Sequence, residues 1–256
     1  MFSFKEKKAQ KGFPSVDFEQ KRMIGQGLNF ASSEAYKLLR TNLMFSFVDS
    51  DAKRVIGITS SVKGEGKSIT SINLANAIAE TGKRVLLVEC DLRLPTMAKR
   101  LNLKSEPGLS NLLVGLSSSS EVVRRGVLRA TLDVLPAGAI PPNASELLQS
   151  SRMQYTIEKF SEYYDYILLD LPPVTVVSDA LIVSRLTAGM VVVVRSDYAT
   201  KAVLGETMRQ LKYVNAKVLG FVFNGVKESA GNYYKKYYRK GYGYEYGYGS
   251  NEDDGK

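Results

Sequence analysis

The chain carries a glycine-bearing loop whose spacing suits phosphate binding. Residues 59–68 read TSSVKGEGKS, which keeps the x₄-Gly-Lys-Ser spacing and has Ser61 where the first glycine usually stands. An apolar strand pattern precedes the loop and a helical pattern follows it. Backbone N–H groups at the glycines and at the start of the helix can face phosphate oxygens. The loop therefore predicts a nucleotide site formed by Ser61, Lys63, Gly64, Glu65, Gly66, Lys67 and Ser68.

Carboxylates follow two further apolar strand patterns. The stretch VLLVECDLRLP places Glu89 and Asp91 at the end of one strand, and YILLDLPP places Asp170 at the end of another. Because open parallel sheets bind ligands at the carboxyl ends of their strands, we expect these acids beside the loop. A carboxylate there can hold Mg²⁺ through water. The predicted magnesium ligands are Ser68, Asp91 and Asp170, and the predicted catalytic residues are Lys67, Glu89, Asp91 and Asp170.

The elements that must position these residues are apolar strands separated by helices. The strand patterns are RVIGITS, RVLLVECD, LDVLPAG, YDYILLDLPP, MVVVVRSD and KVLGFVFN. Because they lack the alternation of a half-exposed strand, they indicate a parallel sheet covered on both faces. We predict one doubly wound α/β domain over residues 31–228, preceded by an extended or mobile N-terminal arm over residues 1–30.

Three local predictions accompany this domain. The stretch SSEAYKLLRTNLMFSF predicts a helix capped by Ser32 or Ser33. The helix after the phosphate loop is expected to end at Gly82. Residues 115–121, which read GLSSSSE, are expected to form a surface loop.

Composition narrows the class of protein. The 256 residues carry a formal net charge of +9, which favours acidic partners such as nucleotides. The chain has no histidine, so the general base must be a carboxylate, and we expect it to be Asp91 or Glu89. Cys90 is the single cysteine, which indicates a reducing compartment. No apolar run approaches the roughly 18 residues of a membrane-spanning helix, so we expect a cytoplasmic protein.

The C-terminal residues have a separate character. Residues 232–249 read NYYKKYYRKGYGYEYGYG, which holds eight of the chain's 15 tyrosines and no Val, Ile, Leu or Phe. Such a segment cannot build a hydrophobic core, so residues 229–256 are predicted to be a flexible tail. Its composition alone fits a substrate for phosphorylation and a tether to nucleic acid or membrane equally well.

Taken together, these motifs resemble those of the bacterial tyrosine kinases, or BY-kinases, over about residues 30–248. SSVKGEGKS is similar to the family's A motif, VLLVECDLR to its A′ motif and YILLDLPP to its B motif. The resemblance implies an ATP- and Mg²⁺-dependent protein-tyrosine kinase in which Asn224 reads the adenine edge. It also implies phosphorylation of the chain's own tail, at Tyr233, Tyr234, Tyr237, Tyr238, Tyr242, Tyr244, Tyr246 and Tyr248.

The resemblance also implies partners. The family's Glu-x-x-Arg-x-x-Arg oligomerisation helix is matched by Glu34, Lys37 and Arg40, with lysine at the first arginine position. We therefore expect a homo-oligomeric ring in which each tail reaches the next active site. The form without membrane spans resembles that of Gram-positive bacteria, where a membrane activator recruits the kinase to the inner face of the membrane. Capsule or exopolysaccharide synthesis, a phosphotyrosine phosphatase and tyrosine-bearing protein substrates are implied; no nucleic acid partner is expected.

One departure and two alternatives accompany this interpretation. Glu89 stands where the A′ motif usually has its first aspartate, which leaves its metal or base role open. A switch ATPase of the deviant-Walker type would carry a second lysine five residues before Lys67, where this chain has Val62 with Lys63 beside it. An ATPase that uses its tail to bind nucleic acid or membrane is the other alternative.

Overall fold

Six parallel strands form the centre of the domain in this computed structural model, which describes residues 23–47 and 54–226. Their order across the sheet is β3-β2-β4-β1-β5-β6, and every neighbouring pair is parallel. All carboxyl ends therefore lie along one edge. The strands are β1 (Val55–Ser60), β2 (Val85–Glu89), β3 (Leu132–Leu135), β4 (Tyr166–Asp170), β5 (Gly189–Arg195) and β6 (Val218–Asn224).

Helices connect the strands and cover the sheet, which confirms the predicted doubly wound α/β fold. The helix α1 precedes the sheet, α2 joins β1 to β2, and α9 joins β5 to β6. The helices are α1 (Phe30–Phe45), α2 (Lys67–Ala79), α3 (Met97–Leu101), α4 (Leu109–Val114), α5 (Ser119–Val122), α6 (Ala144–Gln149), α7 (Ser151–Phe160), α8 (Asp179–Ser184) and α9 (Lys201–Tyr213). Across the described ranges, none of them is long and apolar enough to span a membrane.

Apolar side chains fill the space on both faces of the sheet. Ile58 and Leu87 belong to one buried cluster, together with side chains of α1 and α2. Val88 and Val192 belong to the cluster on the other face, which includes side chains of α7 and α8. Every residue of β1, β2 and β4 is buried, as expected for strands covered on both sides. This explains the continuous apolar runs in the sequence.

Two local predictions were wrong. The helix α1 begins at Phe30, and the Asn29 side chain caps it by accepting from the Ser32 N–H at 2.8 Å, so Ser32 and Ser33 lie inside the first turn. Residues 115–121 are not wholly a loop, because α5 begins within them. Glu121 accepts hydrogen bonds from the backbone N–H and the hydroxyl of Ser118, which satisfies the start of this short helix.

Residues 23–28, placed by the sequence within the N-terminal arm, pack against α2. The Asn73 side chain accepts from Gly25 N–H at 2.9 Å and donates to the Met23 carbonyl at 2.8 Å. Ile24 is buried in the core. Arg40 of α1 donates to the Ala77 carbonyl at 2.9 Å, so the first helix is joined to α2 as well. The helix that follows the phosphate loop therefore also carries the N-terminal elements.

We predict that Asn73→Ala will destabilise the domain by about 1–2 kcal/mol, because the backbone groups of Met23 and Gly25 lose their partly buried hydrogen-bond partner. Urea unfolding followed by circular dichroism measures the change. Gln154→Ala, an exposed position on α7, serves as the matched control and should change stability by less than about 0.5 kcal/mol. Equal stability of the two variants would show that the contacts of Asn73 do not hold residues 23–28 in place.

Candidate active site

The phosphate loop between β1 and α2 is held in a shape that requires glycine at two positions. Gly64 and Gly66 have φ angles of 92° and 93°, in the left-handed region that side chains disfavour. Their surroundings are also closed. A Cβ atom on Gly64 would lie 2.7 Å from the Tyr198 hydroxyl, and one on Gly66 would overlap the Asn224 amide nitrogen. Tyr198 and Asn224 thus pack directly on the loop.

Glu65 fastens this loop to the sheet through its side chain, a role that the sequence did not reveal. The residue is fully buried, and its Oε2 accepts from Val62 N–H at 2.9 Å. Its Oε1 accepts from Arg195 N–H at 3.2 Å, at the end of β5. Asn224 donates to the Glu65 carbonyl at 2.9 Å, so β6 is joined to the loop too. The predicted contact of Asn224 with adenine stays a prediction.

The other loop residues differ in exposure. Ser61 is buried, and its hydroxyl has no hydrogen-bond partner within the described part of the chain. Lys63 is exposed. Ser68 is buried at the start of α2, where Lys67 Nζ lies 3.4 Å from its hydroxyl oxygen. The loop therefore combines the exposed cation of Lys63, the buried hydroxyl of Ser68 and the backbone N–H groups at the start of α2. Such N–H groups are suited to binding phosphate.

Lys67 lies between two of the predicted carboxylates. Its Nζ is 3.0 Å from Asp91 Oδ2 and 3.7 Å from Asp170 Oδ2. Burial lowers the pKa of Lys67, but the charges of Asp170 and Asp91 outweigh burial, and the net effect raises this pKa above its ordinary value. The lysine is therefore positively charged at neutral pH. The structure brings together Lys67, Asp91 and Asp170, as the sequence predicted.

Asp170 offers a magnesium ion an oxygen that faces Lys67 but accepts no hydrogen bond within the described residues. The side chain is fully buried, and Ser71 donates to its Oδ1 at 3.0 Å. Its Oδ2 has no hydrogen-bond partner among the described residues. Burial raises the pKa of Asp170, which Lys67 and the Ser68 hydroxyl partly offset. A hard divalent cation prefers such oxygen donors.

This carboxylate set is small for a metal site. The described residues contain no group of three or more His, Cys, Asp or Glu side chains arranged to hold a metal. Mg²⁺, however, usually binds through one or two carboxylates and completes its shell with water and substrate phosphates. Asp170, Asp91 and the Ser68 hydroxyl therefore fit Mg²⁺ bound together with a nucleotide, and do not form a complete protein cage.

Glu89 is oriented differently from the other two acids. Its Oε1 accepts from the N–H groups of Thr96 and Met97, at 2.7 Å for Met97, and so satisfies the start of α3. Its Oε2 accepts from Ala137 N–H at 3.3 Å, in the loop after β3. Burial raises the pKa of Glu89, and the backbone N–H groups lower it in part. Of the two candidate bases, Asp91 is therefore the one in contact with Lys67; a catalytic role for Glu89 stays a prediction.

A polar cluster beside the site joins the loop after β2 to the starts of α6 and α8. Arg93 Nε donates to Asp179 Oδ2 at 2.9 Å, and Arg93 Nη2 donates to the Ser145 hydroxyl at 2.8 Å. Ser145 in turn donates to Asp179, which is fully buried. Arg93 follows β2, Ser145 follows β3 and Asp179 follows β4. In the sequence, Arg93 ends the A′-like stretch VLLVECDLR and Asp179 lies within VSDALIVSRL, but neither pattern shows that the two side chains meet.

The remaining predicted residues fall into two groups. On α1, Lys37 pairs with Glu34 at 2.8 Å, whereas Arg40 turns inward to α2 and its side chain is only 18% exposed. The predicted phospho-acceptors, Tyr233 to Tyr248, lie outside the described residues.

We predict that Gly66→Ala will destabilise the domain by at least about 1 kcal/mol more than Gly82→Ala. Both glycines have positive φ, but only Gly66 has a neighbour in the place of the added methyl group. Urea unfolding of the two variants measures the difference. Adding Asn224→Ala to Gly66→Ala should recover part of the loss. Equal destabilisation of the two glycine variants would contradict a closed packing of Asn224 on the loop.

Comparison with known proteins gives a consistent result. The sequence matches the AAA domain family over residues 53–219. Tyrosine-protein kinase YwqD of Bacillus subtilis strain 168 is 38% identical over 209 residues, which cover 82% of this chain and 87% of that protein. Putative tyrosine-protein kinase EpsB of Ralstonia nicotianae is 38% identical over 202 residues, or 79% of this chain, but these cover only 27% of that longer protein.

A solved structure agrees with these relatives. The crystal structure of the chimerical protein CapA2B2 has a TM-score of 0.74 at 36% identity, covering 78% of this chain and 87% of that one. Together with the loop, the strand-end carboxylates and the parallel sheet, this confirms the resemblance to the bacterial tyrosine kinases. The chain belongs to the bacterial tyrosine-protein kinase family and has the P-loop fold.

Proposed function

We propose that this protein is an ATP-dependent protein-tyrosine kinase that phosphorylates the tyrosines of its own C-terminal tail. The observation that carries the proposal is the contact of Lys67 with Asp91 and Asp170 at the carboxyl edge of the sheet. A cation for phosphates, a carboxylate to accept a proton and a carboxylate oxygen that accepts no hydrogen bond from the described residues, and so fits Mg²⁺, lie close together. Phosphoryl transfer depends mainly on such positioning and charge neutralisation.

Lys67 links nucleotide binding to the release of the proposed base, Asp91. In this structure its ammonium group pairs with Asp91 at 3.0 Å. Phosphate oxygens of ATP compete with Asp91 for this positive charge. When Lys67 turns towards the phosphates, Asp91 loses this contact and its carboxylate is free to meet the phenolic hydroxyl of a tyrosine. Binding of the phosphate donor therefore releases the proposed acceptor of the proton.

The proposed phosphoryl transfer needs only ATP, a tyrosine and the Asp91 carboxylate as reacting groups. The phenolic oxygen of a tyrosine attacks the γ-phosphorus of ATP, and the bond from that phosphorus to the β–γ bridging oxygen breaks. The phenolic proton passes to the Asp91 carboxylate, and ADP leaves. Mg²⁺, when bound, would neutralise charge on the phosphates; Ser68 and Asp170 would hold it directly, and Asp91 through water. The backbone N–H groups of residues 64–68 orient the phosphates.

The proposal extends to assembly and cellular role. The acceptors are Tyr233, Tyr234, Tyr237, Tyr238, Tyr242, Tyr244, Tyr246 and Tyr248, delivered between copies in a ring. Glu34 and Lys37 on the surface of α1 support such a contact, whereas Arg40 is engaged within its own chain.

The names of the relatives and the CapA2B2 chimera support a role in capsule or exopolysaccharide synthesis. We propose recruitment to the inner membrane face by a membrane activator, and reversal by a phosphotyrosine phosphatase.

We predict that Lys67→Met will lower tail phosphotyrosine by at least about 100-fold, because a charged phosphate ligand is lost. Purified full-length chain with Mg²⁺ and ATP, followed by phosphotyrosine immunoblotting, measures the effect. Lys83→Met removes an exposed lysine just before β2, at the opposite edge of the sheet, and is the matched control; it should retain at least about half of the activity. A phosphotyrosine signal that persists in Lys67→Met would rule out this site as the kinase centre.

A second comparison separates the two candidate bases. Asp91→Asn should lower kcat by about 10²–10⁴-fold, since it removes the proton acceptor. Glu89→Gln should lower the free energy of unfolding, because Glu89 accepts from the backbone N–H groups of Thr96, Met97 and Ala137. It should lower kcat less than Asp91→Asn does. Single-turnover kinetics and urea unfolding measure the two effects. The opposite ranking of the two kcat values would assign the base to Glu89.

A further inference from the structure

A turn after β5 brings a tyrosine onto the phosphate loop, and the proposed chemistry leaves this tyrosine without a role. Tyr198 is 52% exposed, and its hydroxyl lies against Gly64, where an added Cβ atom would be 2.7 Å from the hydroxyl oxygen. Asp197, one residue earlier, has a φ angle of 56°, in the left-handed region that residues other than glycine seldom adopt. Residues held in such conformations cluster at ligand-binding sites. The turn is therefore examined as part of the nucleotide site.

Arg195, at the end of β5, joins Tyr198 to the phosphate loop. Its guanidinium carbon lies 5.2 Å from the centre of the Tyr198 ring, in a cation–π contact. Its Nη1 donates to the Gly64 carbonyl at 3.3 Å, and its backbone N–H donates to the Glu65 carboxylate at 3.2 Å. The tyrosine ring is therefore held beside the loop, while much of its surface stays open to solvent.

The order of the strands indicates which part of a nucleotide would lie beside Tyr198. The strand β1, which leads into the phosphate loop, has β4 and β2 on one side and β5 and β6 on the other. In the proposed transfer, the base Asp91 follows β2, so a tyrosine substrate approaches from that side. The attacking and leaving oxygens are roughly in line at the γ-phosphorus, so the rest of the donor extends away from the acceptor. The nucleoside part of ATP would therefore lie on the side of β5 and β6.

Asn224, the residue predicted to read the adenine edge, lies on that same side. Arg195 and Asn224 are partners in register at the ends of β5 and β6, and the Ser196 N–H donates to the Asn224 carbonyl at 2.9 Å. The side chains of Tyr198 and Asn224 both contact glycines of the phosphate loop. An exposed aromatic ring and an amide thus stand together at the end of the loop that faces away from the acids.

We propose that Tyr198 is a further binding residue for the phosphate donor, and that its ring contacts the nucleoside part of ATP. This inference rests on the proposed function and deepens it, because it names a residue that holds the part of the donor left unchanged by the transfer. An aromatic ring stacks on any base, since every base has a π-face. Tyr198 therefore supplies affinity for a nucleotide, whereas the predicted hydrogen bonds of Asn224 supply the preference for adenine.

Binding of ADP and of pyrophosphate separates this role from a purely structural one, because both ligands carry two linked phosphates but only ADP has a nucleoside. Isothermal titration calorimetry of the purified full-length chain with Mg²⁺ measures both Kd values. Tyr198→Ala should raise the Kd of ADP by about fivefold or more and change that of pyrophosphate by less than about twofold. The KM for ATP should rise with the Kd of ADP, with a smaller change in kcat. Tyr198→Phe keeps the ring and should bind ADP within about twofold of the wild type.

Tyr155→Ala is the matched control. Tyr155 is 60% exposed on α7, and Lys159 Nζ lies 5.8 Å from the centre of its ring, so it is a second exposed tyrosine beneath a cation. This variant should bind ADP as the wild type does.

Three results would overturn the role of Tyr198: unchanged ADP binding in Tyr198→Ala, an equal loss of ADP and pyrophosphate binding, or an equal effect of Tyr155→Ala. An equal loss for both ligands would show that Tyr198 acts only through the shape of the loop. Weaker ADP binding in Tyr198→Ala, with no phosphotyrosine formed by the wild type, would support Tyr198 as a nucleoside contact and overturn the proposed kinase function. Phosphotyrosine in the wild type with unchanged ADP binding in Tyr198→Ala would do the reverse.

Discussion

The arrangement of the site depends on one largely buried positive charge, that of Lys67. A charge removed from water is costly unless a counter-charge lies close, and loss of one partner leaves the other uncompensated. Asp91 and Asp170 supply the counter-charge at 3.0 and 3.7 Å. They come from the ends of β2 and β4, which are neighbours in register, and Lys67 follows β1, the other neighbour of β4. The parallel order of these three strands is therefore what brings the charges together.

Buried carboxylates serve two separate purposes around this charge. Asp91 and Asp170 face Lys67, whereas Glu65 and Glu89 accept from backbone N–H groups of loops. The second pair fixes the phosphate loop to β5, and the start of α3 to the end of β2. Asp179 has a related structural role through Arg93 and Ser145. Loops at a phosphate site must keep their N–H groups in fixed directions, and these acids restrain the backbone without neutralising the catalytic lysine.

The sequence predicted what depends on strand order and loop spacing. Apolar runs gave the six strands, and the GEGKS spacing gave Lys67, because both signals are local and periodic. The directions of side chains were not predictable in the same way. Glu89 and Asp91 are two residues apart, yet one accepts from α3 and the other meets Lys67. Glu89 turns to α3 because the loop after β2 brings the N–H groups of Thr96 and Met97 to it. These residues lie seven and eight positions after Glu89 in the sequence.

The same limit explains the error at the start of α1. A helical pattern shows which residues share a face, but not which polar residue caps the helix. Asn29 takes that role ahead of Ser32 because it stands one residue before the first turn. The oligomerisation motif that includes Arg40 stays a prediction; the sequence did not show that the Arg40 side chain also contacts Ala77 and Glu80 of its own chain.

The central claim is that phosphate from ATP passes to the tail of the chain and not to water. Its most direct test is to incubate the purified protein with Mg²⁺ and ATP, measure ADP and free phosphate, and locate modified residues by mass spectrometry. The account predicts phosphate on tyrosines between Tyr233 and Tyr248, accumulating in step with early ADP formation. ADP formation matched by free phosphate, with an unmodified tail, would contradict it and indicate a switch ATPase.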